Sequence, residues 1–346
     1  MNAFLAPFWN RREHRPRAFW RLILQAVAML AALVLLGAVL LIASTGTTNL
    51  GLQGAQEAIR AAAASDWYVL AVSFATLLAI AFSLWLAGRL WDRRPFADYG
   101  FHLSVAWWRD FAFGLGLGAF LLTVIFLIEL AAGWVTVTGA LFTPIVGQSF
   151  ALATSIALVN FIFVGIREEM LSRGYQLLNL AEGLHWRWWS SRVAVVLAWV
   201  LASVVFGLLH AANPNASAMS TINLVLAGLQ LGFGFILTRE LAIPIGLHIT
   251  WNFFEGNVYG FPVSGITGMP SFIAIEQSGP DLWTGGAFGP EAGLLNVVAT
   301  VLGLALIWFW VRQTRGQVDI QARLAEYRRP GLPPVPQTPG AEQEAK

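Results

Sequence analysis

Apolar residues in this chain are gathered into long blocks separated by short polar stretches. An uncharged run extends from Leu22 to about Ser44, and further blocks follow at about 67–87, 111–135, 151–183, 193–211, 220–238, 241–258 and 292–311. About twenty apolar residues suffice to cross a bilayer as a helix. The pattern therefore predicts an all-α, polytopic transmembrane bundle of about eight helices. The seventh block is short and interrupted by Pro244 and Gly246. The first follows a basic stretch, as the core of a signal peptide would. It is longer than the 7–15 residues of such a core and lacks an Ala-x-Ala exit, so it reads as a retained helix.

The positions of the positive charges test this count. With the N-terminus inside, the inner segments hold Arg11, Arg12, Arg15, Arg17 and Arg21, then Arg89, Arg93, Arg94 and Arg109. The later ones hold Arg187, Arg192 and Arg239, and then Arg312, Arg315, Arg323, Arg328, Arg329 and Lys346. Of the 21 basic residues only Arg60 falls in an outer loop, Arg167 and Arg173 lying within a span. Cytoplasmic loops carry the excess of Lys and Arg in membrane proteins, so both termini are expected on the cytoplasmic side.

Composition agrees: 57% of the 346 residues are hydrophobic and 12% charged, against roughly 25% charged in soluble domains. The absence of cysteine excludes thiol catalysis and thiolate metal sites, and a net charge of +2 gives no reason to expect a nucleic-acid partner. Arginine almost without lysine suggests a bacterial source, hence a plasma membrane. Three regions follow: two N-terminal helices (1–94), a core (95–315), and a polar, Pro-rich tail (316–346) expected to be disordered. The stretch 95–110 is expected at the inner interface, with Trp107 and Trp108 at headgroup depth. No loop is long enough to form a soluble catalytic domain, so function must reside among the helices.

The candidate chemistry starts at Glu168 and Glu169, adjacent carboxylates that follow Arg167 and, before it, the sixteen uncharged residues 151–166. Ionisable groups at membrane depth are functional candidates. Arg173 lies one helical turn beyond Glu169 and pairs with it. Glu168 points elsewhere and has no partner in its own helix. The next helix runs back from the turn at 185–192. Glu168 lies 20 residues before Trp188 and His210 22 after it, so a helical hairpin brings the two to similar depth. Phe206 lies one turn from His210, and His248 and Asn252 share a helical face. Glu129 and Glu255 are expected to hydrogen-bond neighbouring helices, and His14, His102 and His185 to lie in solvent or at the interface. The small residues of 111–120 suggest close helix packing.

Glu-Glu-x-x-x-Arg, then Phe-x-x-x-His, then His-x-x-x-Asn, in that order on successive helices, resembles the CPBP family of CAAX-protease and bacteriocin-processing (Abi) intramembrane proteases. The stretches HAANPNAS (210–217) and PVSG…TGGAFGPE (262–291) are similar too, and the resemblance covers roughly 95–311. It implies an endopeptidase cutting a membrane protein or peptide. Glu168 and His210 would activate water, His248 and Asn252 would stabilise the oxyanion, and Glu169, Arg173 and Phe206 would support them. Arg167 falls outside the family pattern and receives no role. The family was first classed among metalloproteases. A metal-independent site is preferred here, and zinc, if used, would be held by Glu168, His210 and His248. The alternatives are a non-catalytic immunity or scaffold protein of the same family and, with a proton relay in place of hydrolysis, a transporter.

Overall fold

The computed structural model describes residues 7–11, 13–46, 51–63 and 65–327; Arg12, Arg328, Arg329, Lys346 and the Pro-rich end of the tail lie outside them. Two short strands, β1 (Trp9–Asn10) and β2 (Arg15–Pro16), lead into α1 (Ala18–Thr45). The remaining helices are α2 (Leu52–Ala63), α3 (Asp66–Ala87), α4 (Val105–Ala131), α5 (Phe150–Glu169), α6 (Leu178–Leu184), α7 (Ser191–Leu209), α8 (Ala218–Thr238), α9 (Ala242–Phe253), α10 (Asp281–Thr284) and α11 (Leu294–Arg315). A π-helical segment, Met170–Leu177, joins α5 to α6 without a break. Among the described residues, seven helical stretches are long and apolar enough to cross a membrane, and the protein is an integral, multi-pass one.

The block at 241–258 is the departure from the eight expected. It forms the twelve-residue α9, followed by a π turn over Phe254–Val258, and falls short of an ordinary span. Pro244 does not interrupt it, because Pro244 sits in the first turn, where backbone N–H groups have no intrahelical partner. Nearly all of α9 is buried. It runs parallel to α4, whose glycines admit its backbone. A Cβ on Gly114 would meet the Ile243 carbonyl oxygen at 2.4 Å, one on Gly118 the Leu247 oxygen at 2.5 Å, and one on Gly246 the Phe111 oxygen at 2.4 Å. On the other side Gly165 of α5 lies against Ile249. Small residues thus set the position of α9, as the 111–120 pattern suggests.

Two of the connections between the long helices contain strands. β3 (Val135–Phe142) pairs antiparallel with β4 (Ser271–Gln277), with a bulge between Val137 and Gly139. This strand pair caps the end of α4, where the Glu129 carboxylate accepts from Gln277 Nε2 at 2.8 Å. Glu129 therefore bonds a strand rather than a neighbouring helix, and Glu255 is fully buried. Trp107 also departs from expectation: it is buried and donates to the Gly100 carbonyl at 3.0 Å, while Trp108 is exposed. His102 lies at the surface between Glu240 and Asp98. His185 bonds the backbone of Ala325 at 3.2 Å, fastening the chain after α11 to the α6–α7 turn.

On the face that holds both described ends, three arginines from the N-terminal part converge on the end of α6. Arg15 and Arg21 each lie 2.8 Å from Glu182 Oε2, and Arg94 bonds the other oxygen. Arg21 also reaches Asp92 at 3.2 Å, and Tyr99 donates to the same carboxylate at 2.7 Å. All are buried. The first two long helices are thereby fixed to the core, and α3 packs along α5.

Candidate active site

Glu168 and Glu169 close α5 about midway along the continuous helix from Phe150 to Leu184. The π segment begins at the next residue, and such widened turns recur at functional sites. Glu169 Oε1 accepts from Arg173 Nη1 at 2.8 Å, and both residues are buried. Arg173 also donates to the Gly228 carbonyl at 3.1 Å, and its guanidinium lies 4.4 Å from the Phe206 ring centroid.

Two imidazoles enter from α7 and α9. His210 follows the last residue of α7, and its Nδ1 lies 2.8 Å from the Phe206 carbonyl oxygen. A carbonyl only accepts, so Nδ1 carries the hydrogen and Nε2 is left with a lone pair. His248 Nδ1 lies 2.7 Å from Glu169 Oε1, the oxygen that also takes the Arg173 bond. Both rings thus turn Nε2 the same way, and Glu168 Oε2 lies 3.9 Å from each of these nitrogens. The Phe206 ring packs 4.7 Å from that of His210 and 6.2 Å from that of His248.

The cluster opens into a cavity of about 620 Å³ that Asn252 also lines, within the usual range for ligand sites. Asn252 makes no side-chain hydrogen bond to any described residue, leaving its carboxamide available. Much of the wall is apolar and comes from α3 (Val69, Val72, Thr76, Ile80), from α5 and from α8.

Every residue of the three motifs reaches this cluster, with two corrections. Glu168 is not without a partner on its own helix, because Arg167 Nη2 lies 3.8 Å from its Oε1. Arg167 is itself anchored to Ser73 of α3 at 2.8 Å. An arginine before two glutamates signals that pairing; its anchor on a distant helix has no local signature. The second correction concerns Glu169, which is more than half of an ion pair, since it also orients His248. Sequence reasoning missed Glu291 altogether. This residue lines the cavity from the loop before α11 and accepts from the backbone N–H and hydroxyl of Ser264 at 2.8 and 2.6 Å. The signal available was a carboxylate closing the glycine-rich stretch 262–291.

No curated protein and no solved structure is significantly similar to the chain. A family model does match: residues 150–254 fit the type II CAAX prenyl endopeptidase Rce1-like family. The matched segment holds Glu168, Glu169, Arg173, Phe206, His210, His248 and Asn252, so over this stretch, and with all three motifs, the chain is similar to the type II CAAX prenyl endopeptidases.

Proposed function

We propose that the protein is an intramembrane endopeptidase that hydrolyses a peptide bond in a membrane protein or membrane-associated peptide. The convergence of Glu168 Oε2 and the Nε2 atoms of both imidazoles in one cavity carries this reading. Water at an ordinary hydrogen-bond length of about 2.8 Å fits between groups 3.9 Å apart. Glu168, assisted by His210, takes a proton from that water as its oxygen attacks the scissile carbonyl. The Asn252 carboxamide donates to the resulting oxyanion. His248 donates as an imidazolium, for which Glu169 supplies the counter-charge, an arrangement like that of the catalytic histidine and aspartate of serine proteases. Arg173 and Phe206 hold Glu169 and the two rings in place. Arg167 and Ser73 fix the other oxygen of Glu168.

The same residues bear on zinc. A tetrahedral zinc with bonds of about 2.0–2.1 Å places two ligands roughly 3.3 Å apart. The 3.9 Å separations exceed that, so Glu168, His210 and His248 would have to close in to hold the ion. The spacing favours water, and exhaustive chelation should leave hydrolysis intact. Loss of activity that zinc alone restores would assign the site to a metal.

The decisive test compares membrane proteomes from cells carrying the intact protein and its Glu168→Gln variant. New protein termini are expected only with the intact protein; identical sets of termini would overturn the hydrolase reading. The distribution of arginine supports a cytoplasmic location for both chain ends, and the near absence of lysine supports a bacterial source.

A further inference from the structure

Peptide hydrolysis needs a proton for the departing amine as well as a base for the water, and the residues assigned so far supply only the base and the oxyanion donors. Resting on the hydrolase reading above, we infer that Glu291 is the general acid of this site, carrying the proton that the leaving nitrogen takes up.

Glu291 lies outside the matched segment, between α10 and α11, yet it lines the same cavity as Glu168, His210, His248 and Asn252. Its mounting is built rather than incidental. Ser264 holds a positive φ of 48°, a strained conformation for a residue with a side chain, and in that state its N–H and hydroxyl both reach Glu291 Oε2. The Ser264 carbonyl is held in turn by Asn213 at 3.2 Å, three residues after His210. Asn296 donates to the Glu291 carbonyl at 3.1 Å. Gly289, at φ 103°, lies where a Cβ would meet the Pro262 carbonyl oxygen at 2.1 Å, so the loop closes only with glycine there. Glu291 Oε1 takes no hydrogen bond from a described residue.

The surroundings suit an acid. Burial pushes the Glu291 carboxyl above the usual carboxylate range, against the pull of the two Ser264 donors and of His210 and His248. Glu255, fully buried, is a second carboxyl close enough to Glu291 for the two to repel when both are charged. Two carboxyl groups whose surroundings differ divide naturally into acid and base. Glu168 takes one proton from water as the oxygen bonds the carbonyl carbon. Collapse of the intermediate breaks the C–N bond, and the nitrogen receives the proton of Glu291. The proton on Glu168 returns to Glu291 through cavity water. One water is consumed, and one acid and one amine are released.

The test uses a hydrophobic, internally quenched peptide cut by the full-length protein, prepared with an amide or an activated aryl ester at the scissile position. An aryl oxide leaves without protonation, so Glu291→Gln should lower kcat about 10²–10⁴-fold on the amide and leave the ester almost untouched. KM should hold, and the basic limb of the amide pH profile should vanish. Glu168→Gln should abolish both reactions. Glu291→Asp, which retains an acid, should recover part of the amide rate, and helical content and melting temperature report folding. Equal losses on amide and ester, or no loss at all, would overturn the assignment while leaving the hydrolase reading standing. A wild-type protein that cuts neither form would overturn the hydrolase reading itself.

Discussion

At the scale of single residues, the two histidines differ in what holds them, and their variants should differ accordingly. His210 leans on a backbone carbonyl, His248 on a carboxylate shared with Arg173. Asn252→Ala removes one oxyanion donor and should lower kcat about 10²–10³-fold with KM little changed. His210→Ala should approach the loss seen for Glu168→Gln, and the double variant should cost hardly more than either alone, because groups acting as a unit are not additive. An Asn252→Ala enzyme with normal kcat and raised KM would make Asn252 a substrate-positioning residue. Glu169→Ala strands a buried guanidinium, so it should cost about 3–5 kcal/mol of stability and free His248 as well, read as a lower melting temperature with lost activity. Much of this was legible in the sequence. Counting residues from the turn places Glu168 opposite His210, because an unbroken helical path leads from each to a short connection, even with the π segment Met170–Leu177 on one side. The bond from Glu169 to His248 was not, since it depends on the rotation and depth of α9. Nor was the role of Ser264, which is set by a backbone conformation that no residue type announces.

At the scale of elements, α9 decides whether the site exists, because it carries both His248 and Asn252. It is held by backbone contact with glycines on two neighbours. Gly118→Val would insert a side chain where the Leu247 oxygen lies 2.5 Å from an added Cβ, pushing α9 away from α4. Activity should fall by orders of magnitude even in protein that still folds. Gly116→Val, on the same helix where a Cβ meets nothing within 4 Å, should be nearly neutral, and equal effects of the two in an activity assay would refute this account. The glycine spacing made this packing readable. The β3–β4 pair was harder, although Val135–Phe142 carries alternating β-branched residues. Its partner lies far along the chain, and strand pairing at that distance leaves no local mark.

At the scale of the whole molecule, the segment outside the matched family is not an appendage. α3 supplies part of the cavity wall and, through Ser73, the anchor of Arg167. Glu182→Gln removes the counter-charge of Arg15, Arg21 and Arg94 together. Breaking a buried pair costs about 3–5 kcal/mol, so this variant should melt earlier and admit protease near the N-terminus. An unchanged melting temperature would show that the network contributes nothing net. The same network bears on biogenesis. A ribosome delivers Arg15, Arg21 and Arg94 before it delivers Glu182, so the carboxylate that all three share is the last of the four to be made. The motif glutamates precede Glu182 on that same helix. Both histidines lie on later helices, so the helix that carries the base is made before the helices that complete the site.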